Sequence, residues 1–210
     1  MIRTRRNRPG TRVSELWTWG PEDYANLTGP FAVQEYIQEL IRHDSSKIEK
    51  IIEKPRDVDD SVWQYEHMRQ FIIELNLLVV YLQGSCTSIS CPKMKATEEW
   101  MYLCASHKTP QDCSAIDYMT HNIDHATNIL QNNKQFISRV SIPSTAIKNL
   151  VSIVRRLYRI FSHTYYVHRD IFLSFEKETH LCGRFSEFVR KYDMMPADLF
   201  NIPTHAFNVS

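Results

Sequence analysis

A chain of 210 residues, 43% hydrophobic and 23% charged, holds enough apolar material for one globular domain with a full-sized core. Its formal net charge of +1 excludes the strong positive field that would make nucleic acid or a membrane surface its main partner. Five cysteines, an odd number without a secretory leader pattern after Met1, point to a reducing compartment where thiols bind metal or stay free. With Ile2 after Met1 there is no N-myristoylation glycine, and no apolar run approaches the roughly 18 residues a bilayer span requires, so a soluble, cytoplasmic protein is expected.

Five glycines among long helical patterns argue for a mainly α fold. Residues 1–12 contain five arginines and almost nothing to bury, so they read as a flexible basic tail ahead of a domain spanning 13–210. Trp17, Trp19 and Tyr24 lie among turn residues and predict an irregular strip pinned by its aromatics. Phe31, Val33, Tyr36, Ile37, Leu40 and Ile41 predict a helix, followed by a short one over 46–53 that Pro55 stops. Asp57, Asp59, Asp60 and Ser61 read as the cap of a long helix reaching Gln83 and ended by Gly84. Its second half, FIIELNLLVVYL, is apolar nearly all round, which marks a central core helix. Residues 98–104 alternate as a strand and SHKTPQDC turns back, predicting a small β-hairpin. An amphipathic helix covers 115–130, a longer one starts after Pro143, and shorter ones are expected over 172–180 and 185–192 before an irregular end from Pro196.

The helix after Pro143 carries the features most suggestive of function. Arg155, Arg156 and Arg159 stand three and four residues apart, which gathers three guanidinium groups over about one turn. Such a cluster either grips a phosphate or forms an ordinary solvated face. His163 and His168 follow; five residues of continuous helix leave the rings about 140° apart, so a shared ligand requires a break or bend near 164–167.

Cys86 and Cys91 frame a Cys-x4-Cys loop directly after the core helix, half of a tetrahedral metal site. Cys104 and Cys113 would complete it locally; His163 and His168 would complete it from far along the chain. His121 and His125, one helical turn apart, read as surface residues. Spacing leaves the first two completions open.

The joint pattern CTSISCP, then RRLYRIFSHTYYVH some sixty residues on, with Trp63 and RFSEFV, resembles the Mob (Mps-one-binder) family, most closely its phocein branch, over most of residues 30–195. The resemblance implies a helical fold around a four-helix core and one structural zinc held by Cys86, Cys91, His163 and His168, with Cys104, Cys113 and Cys182 as free thiols. It implies a phosphopeptide pocket at Arg155, Arg156 and Arg159, and a non-catalytic adaptor rather than an enzyme. It further implies partners among striatin-type scaffolds with type 2A phosphatase and germinal-centre kinases and a cytoplasmic place with peripheral association to Golgi or other membranes, while the near-neutral charge and the absence of a zinc-finger spacing argue against a nucleic-acid ligand. The chain departs from the members that activate nuclear Dbf2-related kinases at Val58 and Val62, where those carry acidic residues. Part of the complementarity to a basic kinase segment is thereby removed. A zinc hydrolase is the contrasting reading, disfavoured because four protein ligands leave no open position for water.

Overall fold

The computed structural model describes residues 7–16 and 19–207, and its described residues form seven α-helices joined by loops and 3-10 turns. The tail reading falls largely on 1–6, outside the described residues, as does Trp17; Arg8 and Arg12 are exposed. Tyr24 meets Tyr36 edge-on at 5.6 Å, and the Glu22 amide donates to the Glu39 carboxylate at 2.9 Å, so the entering strip is anchored as its composition suggested.

Helix α1 (Ala32–His43) buries Val33, Ile37 and Leu40 on one face, and α2 is a single turn (Ile48–Ile51), shorter than the expected 46–53. The long helix α3 (Asp60–Leu82) begins where Asp59 accepts from the amides of Ser61 at 2.8 Å and Val62 at 3.3 Å, satisfying two of its orphan donors. Val58 and Val62, the positions of departure, are buried in the core beside fully buried Trp63. A carboxylate there would be desolvated.

Helix α4 (Ala115–Asn132), capped by Ser114, and α5 (Ile147–Val167) lie against α3 and against each other; α6 (Arg169–Thr179) and α7 (Leu181–Lys191) follow, earlier than the expected starts at 172 and 185. The second half of α3 is not buried all round: Ile73, Leu77, Val80 and Tyr81 form a stripe about half exposed, at 48–59%.

The expected β-hairpin is absent from the described residues. Between α3 and α4 the chain makes only two isolated antiparallel bridges, Lys95 with Met101 and Cys104 with Gln111. The alternation is real, with Tyr102 and Cys104 buried and Met101 and Leu103 exposed. Yet the Tyr102 amide bonds to Met94 and the Cys104 amide to Gln111, so successive residues pair with different segments and no ladder extends.

Gly183, near the start of α7, is the one glycine among the described residues where an added Cβ would meet close neighbours. An added Cβ would stand 3.2 Å from Glu176 Oε1, Ile48 Cδ1 and Phe207 Cβ, and Glu176 is itself fixed by accepting from the Cys182 and Gly183 amides at 2.7 and 2.8 Å. Gly183→Ala should therefore destabilise the fold by about 1–3 kcal/mol through overpacking. An unchanged denaturant midpoint would show that this corner yields freely.

Candidate metal centre and basic cleft

The loop after α3 is knitted by its own hydroxyls. The Thr87 amide donates to Ser90 Oγ at 2.9 Å, Ser90 Oγ donates to the Ser85 carbonyl at 2.7 Å, and the Cys91 amide closes onto the Thr87 carbonyl at 2.8 Å. This turn aims Cys86 and Cys91 at the same point. Opposite them, α5 runs as far as Val167 and then breaks at His168, whose backbone (φ −127°, ψ 54°) is neither helical nor strand-like and leads into α6. The break brings the two histidines together, with ring centroids 5.3 Å apart.

Donor atoms of Cys86, Cys91, His163 and His168 all lie within 4.8 Å of one another. Cys86 Sγ is 3.5 Å from His163 Nε2, and Cys91 Sγ is 3.3 Å from His168 Nε2. In a tetrahedral site with metal–sulfur bonds of about 2.3 Å and metal–nitrogen bonds of about 2.0–2.1 Å, the sulfur–nitrogen edges come to about 3.5 Å. The four residues thus have the dimensions of one metal site. His163 Nδ1 lies 2.6 Å from the Lys95 carbonyl, so it carries the proton and donates there, which leaves the Nε2 lone pair facing the sulfurs.

Electrostatics favour the same assignment. Burial, opposed only in part by the Lys95 hydrogen bond, pushes His163 down to about 4, and burial also lowers His168, so both rings favour the neutral form that a metal would need. Burial, with the neighbouring Cys91 sulfur adding to it, pushes the Cys86 thiol up to about 12. A thiolate at Cys86 would need a cation beside it to hold the charge.

Of the three arginines upstream on α5, two line one cleft and the third does not. Arg155 and Arg159 line a cleft of about 200 Å³ whose other walls include Glu99, Trp100, Tyr102 and Tyr158. Arg159 is held in place: its Nη1 donates to the Tyr118 hydroxyl at 2.8 Å, and its guanidinium lies over the Tyr102 ring at 4.6 Å. Arg156 is not part of the cleft lining, and its charge lowers the Tyr118 hydroxyl and the His125 ring of α4, in the first case against and in the second alongside a larger effect of burial.

Cys104 and Cys113 take no part in the first centre, so the local completion is not the one the fold assembles. They stand with His107 and His121, a group that sequence reasoning overlooked. A Cys-x2-His-x5-Cys-x7-His spacing was the available signal. Cys182 is fully buried and apart from both groups.

Helices gathered on α3, with paired cysteines after its last turn facing paired histidines at the end of α5, define the class of protein. The model of the Mob1/phocein family matches residues 39–202, and the chain belongs to that family. It is 49% identical over 199 residues to MOB kinase activator-like 4 of Drosophila melanogaster and 45% identical over 199 residues to MOB-like protein phocein of Caenorhabditis elegans, covering 95% of this chain and 89% of each relative. To maintenance of ploidy protein mob1 of Schizosaccharomyces pombe it is 26% identical over 176 residues, 80% of this chain and 83% of that protein. No helix among the described residues is long and apolar enough to cross a membrane.

Proposed function

We propose that the chain is a non-catalytic adaptor in which one structural zinc ion, held by Cys86, Cys91, His163 and His168, steadies a cleft that receives a phosphorylated segment of a partner protein. The observation that carries this reading is the convergence of four soft and borderline donors from segments 77 residues apart, with His163 one turn after Arg159 on α5. Two thiolates and two imidazoles in a tetrahedron suit zinc and leave no position for a substrate water. The group's role here is structural, joining the loop after α3 to the end of α5.

Arg155 and Arg159 supply two forked donors to a phosphate, and Arg159 reaches it already ordered by Tyr118 and Tyr102. Arg156 stands at the flank and contributes charge rather than direct contact. Glu99, an exposed carboxylate in the same cleft wall, opposes the anion. Glu99→Gln is accordingly expected to tighten phosphopeptide binding about two- to fivefold at low salt, the effect of removing one solvent-exposed like charge. Equal affinity of the variant and the parent in calorimetry would place the phosphate elsewhere.

The partners follow from the branch: the likeness to a protein named phocein supports a place in striatin-type scaffolds with type 2A phosphatase and germinal-centre kinases, cytoplasmic and peripheral to Golgi or other membranes. The likeness to a protein named kinase activator supports a second reading, direct co-activation of a nuclear Dbf2-related kinase. Buried Val58 and Val62 weigh against that second reading, since they offer a basic segment no charge. Binding of matched phosphorylated and unphosphorylated peptides tests the cleft, with a preference of at least tenfold for the phosphorylated form expected. Capture from cells with and without Arg155 and Arg159 neutralised tests the partners; recovery of the same phosphatase and kinase subunits from both would detach the cleft from assembly.

A further inference from the structure

We propose that the chain holds a second metal ion, zinc, at Cys104, His107, Cys113 and His121. The four donor atoms lie within 4.8 Å of one another, the same closeness as in the first group. Cys104 Sγ is 3.6 Å and Cys113 Sγ 3.9 Å from His121 Nδ1, and His107 Nε2 is 2.9 Å from Cys113 Sγ, distances that bracket the roughly 3.5 Å edge of a tetrahedron with these ligands. The ring centroids of His107 and His121 are 5.0 Å apart, close to the 5.3 Å of His163 and His168. Two sulfurs with two imidazoles again suit zinc.

The surroundings are those of a built site. Cys104 is fully buried and pairs through both backbone groups with Gln111, at 2.8 and 3.1 Å. The Cys113 carbonyl accepts from the Met94 amide at 3.1 Å, and His121 sits on the second turn of α4 after the Ser114 cap. Between Cys104 and Cys113 the loop has no apolar anchor: Ala105, Ser106, Lys108, Thr109 and Pro110 are all exposed, and only His107 turns inward. An ion would give that loop the fixed point its side chains do not otherwise supply.

The two centres share no ligand but share a segment. The Ala115 amide donates to the Cys91 carbonyl at 2.9 Å, so residues 91–115 begin at one metal group and end at the other. That segment contributes Glu99, Trp100 and Tyr102 to the arginine cleft, with Tyr102 under Arg159. Zinc at both groups would fix the part of the cleft wall that this segment provides. This consequence for docking rests on the adaptor reading; the metal site itself does not.

The test uses the full chain purified under reducing conditions without chelator, with zinc counted by plasma mass spectrometry and cysteines mapped by native alkylation. Two zinc ions per chain are expected, with Cys113, only half-buried, protected until chelator is added and buried Cys182 serving as the control for protection by burial alone. The double variant His107→Ala, Cys113→Ser should lose one ion and make Cys104 reactive while Cys86 and Cys91 stay protected. Rapid modification of Cys113 in the zinc-loaded parent, a Cys104–Cys113 disulfide in freshly isolated protein, or an unchanged zinc count in the double variant would overturn the second site. Because Cys86 and Cys91 are read in the same experiment, loss of the first centre would be seen separately. Should the double variant fail to fold, the Cys113 result on the parent chain still decides.

Discussion

His163→Ala is expected to remove one metal ion per chain and to lower stability by about 5 kcal/mol or more. Structural zinc contributes about 10–16 kcal/mol in small peptide sites, comparable with the whole 5–15 kcal/mol of a domain. Because each kcal/mol moves the melting temperature of a chain of this size by about 2–4 °C, the fall should be on the order of 10–20 °C. Part of it is the cavity left by a side chain only 1% exposed. His168→Ala, at a position less buried than His163, separates the two contributions, since it removes a proposed ligand with a smaller cavity. A melting temperature within a few degrees of the parent for both variants would deny the centre its structural role.

Acid should imitate the loss. In the folded chain His163 is pushed down to about 4, against an ordinary histidine near 6.5. Between those values the unfolded chain takes up a proton that the folded chain refuses. The contribution is therefore fully present above about pH 6.5 and lost as pH falls towards about 4. Proton competition for the thiolates and imidazoles of a bound ion acts in the same direction. Melting temperature measured from pH 8 down to 5 should fall more steeply for the parent than for His163→Ala.

Arg159→Ala is expected to weaken phosphopeptide binding about 10- to 150-fold, the equivalent of one charge-assisted hydrogen bond of about 1.5–3 kcal/mol. Unphosphorylated peptide should bind the two proteins alike. Arg159→Lys should recover little, because a lysine lacks the planar fork that lies over Tyr102 and donates to Tyr118. Arg156→Ala, at a position outside the cleft lining, should lose less than Arg159→Ala. If Arg156 proves the costlier substitution, the anion sits on the α4 side and the cleft between Arg155 and Arg159 is not its seat.

Much of this was legible in the sequence because it rests on local chemistry. Asp59 and Ser61 announced the start of α3, and the apolar spacing from Ile147 to Tyr165 announced the buried face of α5. Other features depend on tertiary context. No glycine or proline lies between His163 and Asp170, so nothing in the string marks the break at His168 that joins the histidines. The choice between Cys104 and Cys113 or the distant histidines as partners of Cys86 and Cys91 depends on which helix returns to the end of α3. His121 and His125 look equivalent one turn apart, yet the phase of α4 turns His121 towards Cys104 and leaves His125 exposed. The run FIIELNLLVVYL shows that α3 is apolar, but not that the Ile73, Leu77, Val80 and Tyr81 side would be left uncovered. The alternation holds only over 100–104, since Glu98 and Glu99 are both exposed, and the backbone partners that would extend it into strands are missing.

The union of the loop after α3 with the end of α5 is tested most directly by diffraction from crystals of the metal-replete chain on both sides of the zinc absorption edge. An anomalous peak about 2.0–2.3 Å from Cys86 Sγ, Cys91 Sγ, His163 Nε2 and His168 Nε2 is the expected result. Well-ordered density for all four side chains with no peak between them would contradict it.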